Sequence, residues 1–132
     1  MSSSEDRYIL LKSGKNIGKR LRIGRPLGED LLLDRVEYAL LISLGEIEGS
    51  LDEIIRDSWD QAALIVIADL MRRSVLFRVE YPYVKAYIKG SWYKIYPLYV
   101  EESIEDLDGI DLIAVVDFSG DVVYYKIEET NL

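Results

Sequence analysis

Apolar positions along the chain change their rhythm near residue 74. Ahead of it they recur at helical spacing; behind it they fall into short runs rich in β-branched and aromatic residues. Tyr8 to Leu11 is a short β-prone run. Ser13-Gly14-Lys15-Asn16 has turn chemistry, and Arg20 to Ile23 reads as a second strand before Pro26 and Gly28 break the chain. Leu33 to Tyr38 opens a helix: Asp34 can cap it, Glu37 follows three residues on, and Leu33 can staple to Tyr38. Its apolar face is Val36, Ala39, Leu40 and Ile42 to Leu44, and Gly45 stops it. Ser50 with Glu53 repeats the capping signal for a longer second helix. Leu51, Ile54, Ile55, Trp59, Ala62, Ala63, Val66 and Leu70 follow its spacing, and Arg72 and Arg73 suit its C-terminal end.

Strands are expected over Val75 to Tyr81, Val84 to Ile88 and Trp92 to Val100, punctuated by Pro82 and Lys89-Gly90-Ser91. Ser103 to Gly109 is acidic and reads as a loop or short helix. Ile110 to Phe118 and Val122 to Ile127 read as an antiparallel pair. The pattern predicts an α+β chain: a small helical N-terminal part over residues 1–73, then a mostly antiparallel sheet over residues 74–132.

At 132 residues and 49% apolar, the chain is long enough to bury a core. It contains no cysteine and no histidine. A disulfide and a thiolate metal site are therefore excluded, and the usual near-neutral acid–base group is missing. No metal and no cofactor is expected. A serine nucleophile would lack its histidine, and a lysine base would need burial that the sequence does not show. No apolar run spans a bilayer, and Met-Ser-Ser-Ser-Glu-Asp is no signal peptide, so an intracellular, cytoplasmic protein is expected.

The net charge of −8 is unevenly spread. Lys12, Lys15, Lys19, Arg20, Arg22 and Arg25 make the first segment basic, whereas Glu101, Glu102, Glu105, Asp106, Asp108 and Asp111 make a later one acidic. Lys15, Lys19, Arg20 and Arg22 are candidate RNA contacts, against the plainer reading of a solvated hairpin face. The acidic run lacks the ligand spacing of an EF-hand and reads as a solvated loop. Tyr81, Tyr83, Tyr87, Tyr93, Tyr96 and Tyr99 crowd one stretch, where packing or a protein interface outweighs base stacking.

Three segments, in order, resemble the archaeal tRNA-splicing endonuclease family. Arg35 to Gly49 (Arg-Val-Glu-Tyr-Ala-Leu-Leu-Ile-Ser-Leu-Gly-Glu-Ile-Glu-Gly) is similar to a helix and following strand of that family's N-terminal domain. Ala68-Asp69-Leu70-Met71-Arg72-Arg73-Ser74-Val75 is similar to its Asp-Leu-Arg-x-Arg-Gly junction. Ile110 to Ile127 resembles its terminal hydrophobic strand, Gly-Asp loop and Tyr-Tyr strand. The resemblance implies a metal-free nuclease fold in which a Tyr, a His and a Lys cut RNA to leave a 2′,3′-cyclic phosphate. It places Tyr87 on the strand of the catalytic Tyr, as a relic. The His segment falls on Ile95-Tyr96-Pro97-Leu98, the Lys position on Gly109, and the Arg that grips a bulged base within Glu102 to Glu105. Acid, electrophile and gripping cation are all missing, so no catalytic residue is expected here.

What the resemblance leaves is assembly. It implies a docking loop at Asp117, Phe118, Ser119, Gly120 and Asp121, whose alternative is plain hairpin-turn chemistry. It also implies a dimer strand at Val122, Val123, Tyr124, Tyr125, Lys126 and Ile127. The expected protein is the structural, non-catalytic subunit of a heterotetramer, two copies with two of a catalytic subunit, acting on bulge–helix–bulge sites of precursor tRNA. An RNA- or protein-binding module and a weak nuclease using Tyr87 are the alternatives.

Overall fold

A computed structural model describes residues 7–104 and 106–127. The N-terminal part holds strand β1 (Tyr8–Leu11), helix α1 (Lys15–Leu21), strands β2 (Arg25–Leu27) and β3 (Asp30–Asp34), and helices α2 (Arg35–Ser43), α3 (Leu51–Ile54) and α4 (Ser58–Arg72). The C-terminal half is a sheet of β4 (Leu76–Glu80), β5 (Tyr83–Ile88), β6 (Ser91–Tyr99), β7 (Leu112–Val116) and β8 (Val122–Lys126), in that spatial order. Every neighbouring pair is antiparallel except β6–β7, which the acidic crossover from Val100 makes parallel. The fold is thus α+β, a mixed helical part followed by a five-stranded, mostly antiparallel sheet.

Three local expectations change. Arg20 to Ile23 is not a strand, because Lys15–Leu21 is helical. Ile17, Gly18 and Leu21 recur at helical spacing, and Gly18 must stay small: a Cβ there would come within 2.4 Å of the Leu31 side chain. The small sheet is built instead from β1 and a β2–β3 hairpin turning at Gly28, with β3 in the middle. The second long helix is two, because the chain leaves helical geometry at Ile55. Ser50 makes no side-chain cap bond; Asp57 caps the real start, its carboxylate accepting from the Asp60 N–H at 2.9 Å. The capping box at Asp34 and Glu37 forms as expected.

The break at Ile55 to Asp57 lets α4 begin with Asp60 turned inward, fully buried. Its carboxylate meets Arg7 at 3.1 Å and Arg35 at 2.7 Å, while Arg7 also pairs with Asp34 at 3.0 Å. The Arg7 guanidinium lies over the rings of Trp59 and Tyr81, 4.8 and 4.3 Å from their centroids. This buried cluster ties β1, β3, α2 and α4 together. Around it runs one apolar core, from Leu31, Val36 and Leu40 through Ala63, Val66 and Ile67 to Val84, Ile95 and Ala114. Among the described residues, no helix is long and apolar enough to cross a membrane.

Candidate functional site

α4 packs across one face of the five-stranded sheet. Tyr99 and Tyr124 reach back to it: the Tyr99 hydroxyl donates to Gln61 at 3.2 Å and the Tyr124 hydroxyl to Asp69 at 2.7 Å. Asp69 also accepts from Arg73 at 2.8 Å and Arg72 at 3.0 Å. Burial alone would raise the Asp69 pKa, but these three donors together hold it below the usual carboxylate range. Burial, and then the Asp69 carboxylate, push the Tyr124 phenol well above its ordinary value. Tyr124 is thus an inward anchor that locks the outermost strand to α4. The junction segment around Asp69, Arg72 and Arg73 supplies the other half of that lock.

Strand alternation then sends Val123 and Tyr125 to the opposite face, where they are 52% and 55% exposed. They stand beside Val115 and Ile113 of β7. β8 is an edge: among the described residues no strand pairs with its outer side. Ile127 closes it with an N–H to the Asp111 carbonyl at 3.1 Å. Lys126, paired in register with Leu112, is exposed.

The turn entering β8 is held by hydrogen bonds of its own side chains. One Asp117 carboxylate oxygen accepts from the Ser119 hydroxyl at 2.7 Å, the Ser119 N–H at 2.9 Å and the Asp121 N–H at 3.0 Å. These donors, the serine hydroxyl foremost, hold the Asp117 pKa below the ordinary carboxylate value. Gly120 takes φ +88°, a conformation suited to glycine. Phe118 projects at 76% exposure, its ring 6.4 Å from that of Tyr99. The turn presents two carboxylates and an aromatic ring from a preformed backbone.

Tyr87 lies on the face turned away from α4. It is exposed and packs against Trp92, ring centroids 5.2 Å apart. Ile95 and Pro97 of β6 are buried. Gly109 takes φ +75°, and the Lys94 Nζ lies 3.9 Å from where a Cβ at that glycine would stand. Among the described residues no cluster of acidic side chains could hold a metal ion.

The basic segment divides. Lys15 and Lys19 share one row of α1, at i and i+4, and together with Arg22, which ends the helix, they line a groove of about 500 Å³. Arg20 points elsewhere and forms a two-pronged bond with Glu46. Arg25 completes the cationic lining, and Tyr8, Glu37 and the β4 segment from Leu76 to Val79 also border the groove, with the Arg78 guanidinium turned over the Trp92 ring, 5.6 Å from its centroid. The groove joins residues some fifty positions apart, so no local pattern in the sequence announces it.

No family model matches the chain, and no curated protein matches it.

Proposed function

We propose that the chain is a non-catalytic assembly subunit of a tRNA-splicing endonuclease, pairing with a catalytic subunit that cuts precursor tRNA at bulge–helix–bulge sites. The observation that carries this reading is the edge strand β8, open along its outer side and bearing exposed Val123 and Tyr125. An open strand edge with outward apolar side chains favours pairing with another chain, and closure into an oligomer removes the hazard. Tyr124 supports the same role from the other face, since its bond to Asp69 holds the strand in place. The preformed turn at Asp117 to Asp121 suits docking into a basic partner surface, with little ordering left to do on binding. Absence of histidine from the whole chain argues against cleavage by this subunit alone.

The test is co-elution of the purified chain with a histidine-containing family member from the same source. A stable complex is expected, lost in the double variant Val123→Lys/Tyr125→Lys and weakened at least tenfold in Asp117→Asn/Asp121→Asn. Separate elution of the two wild-type proteins would count against the reading. A second reading, residual nuclease activity through Tyr87, has one observation on its side: the Lys94 ammonium stands beside Gly109. Cleavage by the pure chain, abolished in Tyr87→Phe, would favour it.

A further inference from the structure

The basic groove lies against β4, the edge of the large sheet opposite β8, so it is separate from the assembly surfaces. Four cations line it: Lys15, Lys19, Arg22 and Arg25, of which Lys15 pairs with the exposed Glu29 at 3.7 Å. Two acids face them, Asp34 and Glu37. Asp34 is taken up by Arg7 at 3.0 Å, and Glu37 accepts the N–H groups of Asp34 and Gly24. Lys19, Arg22 and Arg25 form no ion pair among the described residues, although the chain as a whole is strongly acidic. Such a local surplus of positive charge focuses an anion into the cleft. Arginine further suits phosphate, whose oxygens its planar fork matches.

The walls indicate what the anion is attached to. Pro26, Leu32 and Leu76 give one side an apolar surface, with Ile23, Leu31 and Phe77 buried beneath it. Tyr8, half exposed, offers a ring, and flat groups stack on rings and guanidinium planes. β4 lines the groove with four successive residues and has no ladder partner on its outer side among the described residues. Unpaired backbone N–H and C=O groups there can read the hydrogen-bonding edge of a heterocycle. The volume lies within the range of sites for small organic ligands.

We propose that this groove binds a nucleoside phosphate, its phosphate on Lys19, Arg22 and Arg25 and its base between the apolar wall and the β4 edge. The chemistry is the same for a free nucleotide and for an unpaired nucleotide of an RNA chain. The inference does not depend on the assembly reading.

Arg22 offers a clean probe, because it sits at φ +57° and ends α1 in the left-handed conformation that glycine prefers. Arg22→Gly therefore removes the cation while preserving the helix end. The full chain would be titrated calorimetrically with AMP, CMP, GMP and UMP, with a single-stranded hexaribonucleotide, and with inorganic phosphate and ribose 5-phosphate. Arg22→Gly and Arg25→Ala would be compared with Lys12→Ala, which removes a cation of the same segment outside the groove. Saturable binding of a nucleotide probe is expected, weakening with salt and falling about tenfold or more in the two groove variants while Lys12→Ala stays near wild type. Binding of monophosphates identifies a free nucleotide, and binding of the hexamer alone identifies an RNA residue; either supports the site. No saturable binding by any probe overturns it. So does inorganic phosphate binding as tightly as the nucleotides, or an equal loss in Lys12→Ala.

Discussion

Glu37 is buried in the capping box of α2, where its carboxylate accepts from the Asp34 N–H at 2.8 Å. Burial outweighs these bonds and raises its pKa from 4.5 to about 7. Below pH about 4.5 the group is neutral whether the chain is folded or not, and its full contribution to stability is present. As pH rises towards 7 the unfolded chain releases the proton while the folded chain keeps it, so stability falls by about 3 kcal/mol and then levels off. Urea unfolding across this window should show a decline that Glu37→Gln flattens; parallel pH profiles for the two proteins would contradict the assignment. The sequence identified Glu37 as a helix-start residue from its spacing to Asp34. Its burial was not legible there, because it depends on Gly24 and β3 closing over it.

The elements departed from the sequence pattern at two places, and each has a physical cause. Basic residues at Lys15, Lys19 and Arg22 looked like a hairpin face, yet the i, i+4 spacing of Lys15 and Lys19 also fits one row of a helix. Tertiary packing decided: only a helix lets Gly18 approach Leu31 so closely. Arg22→Gly at the end of that helix should raise stability by about 1 kcal/mol, since the left-handed conformation penalises a side chain. Chemical denaturation reads this directly; a loss of stability would mean that Arg22 makes a contact important to the fold. The second departure, the interruption between α3 and α4, follows from Asp60. A charged residue at an apolar helix start looks like a surface residue in one dimension. Here it neutralises Arg7, just ahead of β1, and Arg35, at the start of α2. Asp60→Ala should cost about 3–5 kcal/mol, because two buried guanidinium groups lose a partner. Asp57→Ala should cost only about 1 kcal/mol, the worth of a helix cap. Comparable losses for the two variants would refute the role given to the buried cluster.

At the scale of the whole molecule, the division between a helical first part and a strand-rich second part was legible because the period of apolar positions changes from about 3.6 to 2. The parallel β6–β7 pairing was not, since a crossover sets strand direction without altering either strand's own pattern. Candidate surfaces divided in the same way. β8 and its turn were legible because alternation and turn chemistry are local, and the structure adds which face Tyr124 and Tyr125 take. The basic groove was not legible, since α1, the small sheet and β4 meet only in the folded chain. The two ends of the large sheet therefore divide the proposed work, with partner binding at β8 and nucleoside phosphate binding beside β4.

The proposed assembly subunit without its own chemistry is tested by cleavage of a bulge–helix–bulge RNA. The purified chain would be assayed alone and then mixed with a histidine-containing tRNA-splicing endonuclease subunit from the same source. No cleavage by the chain alone and correct excision in the mixture are expected, lost again with Val123→Lys/Tyr125→Lys. Cleavage by the chain alone, or a mixture no more active than the partner by itself, would contradict it.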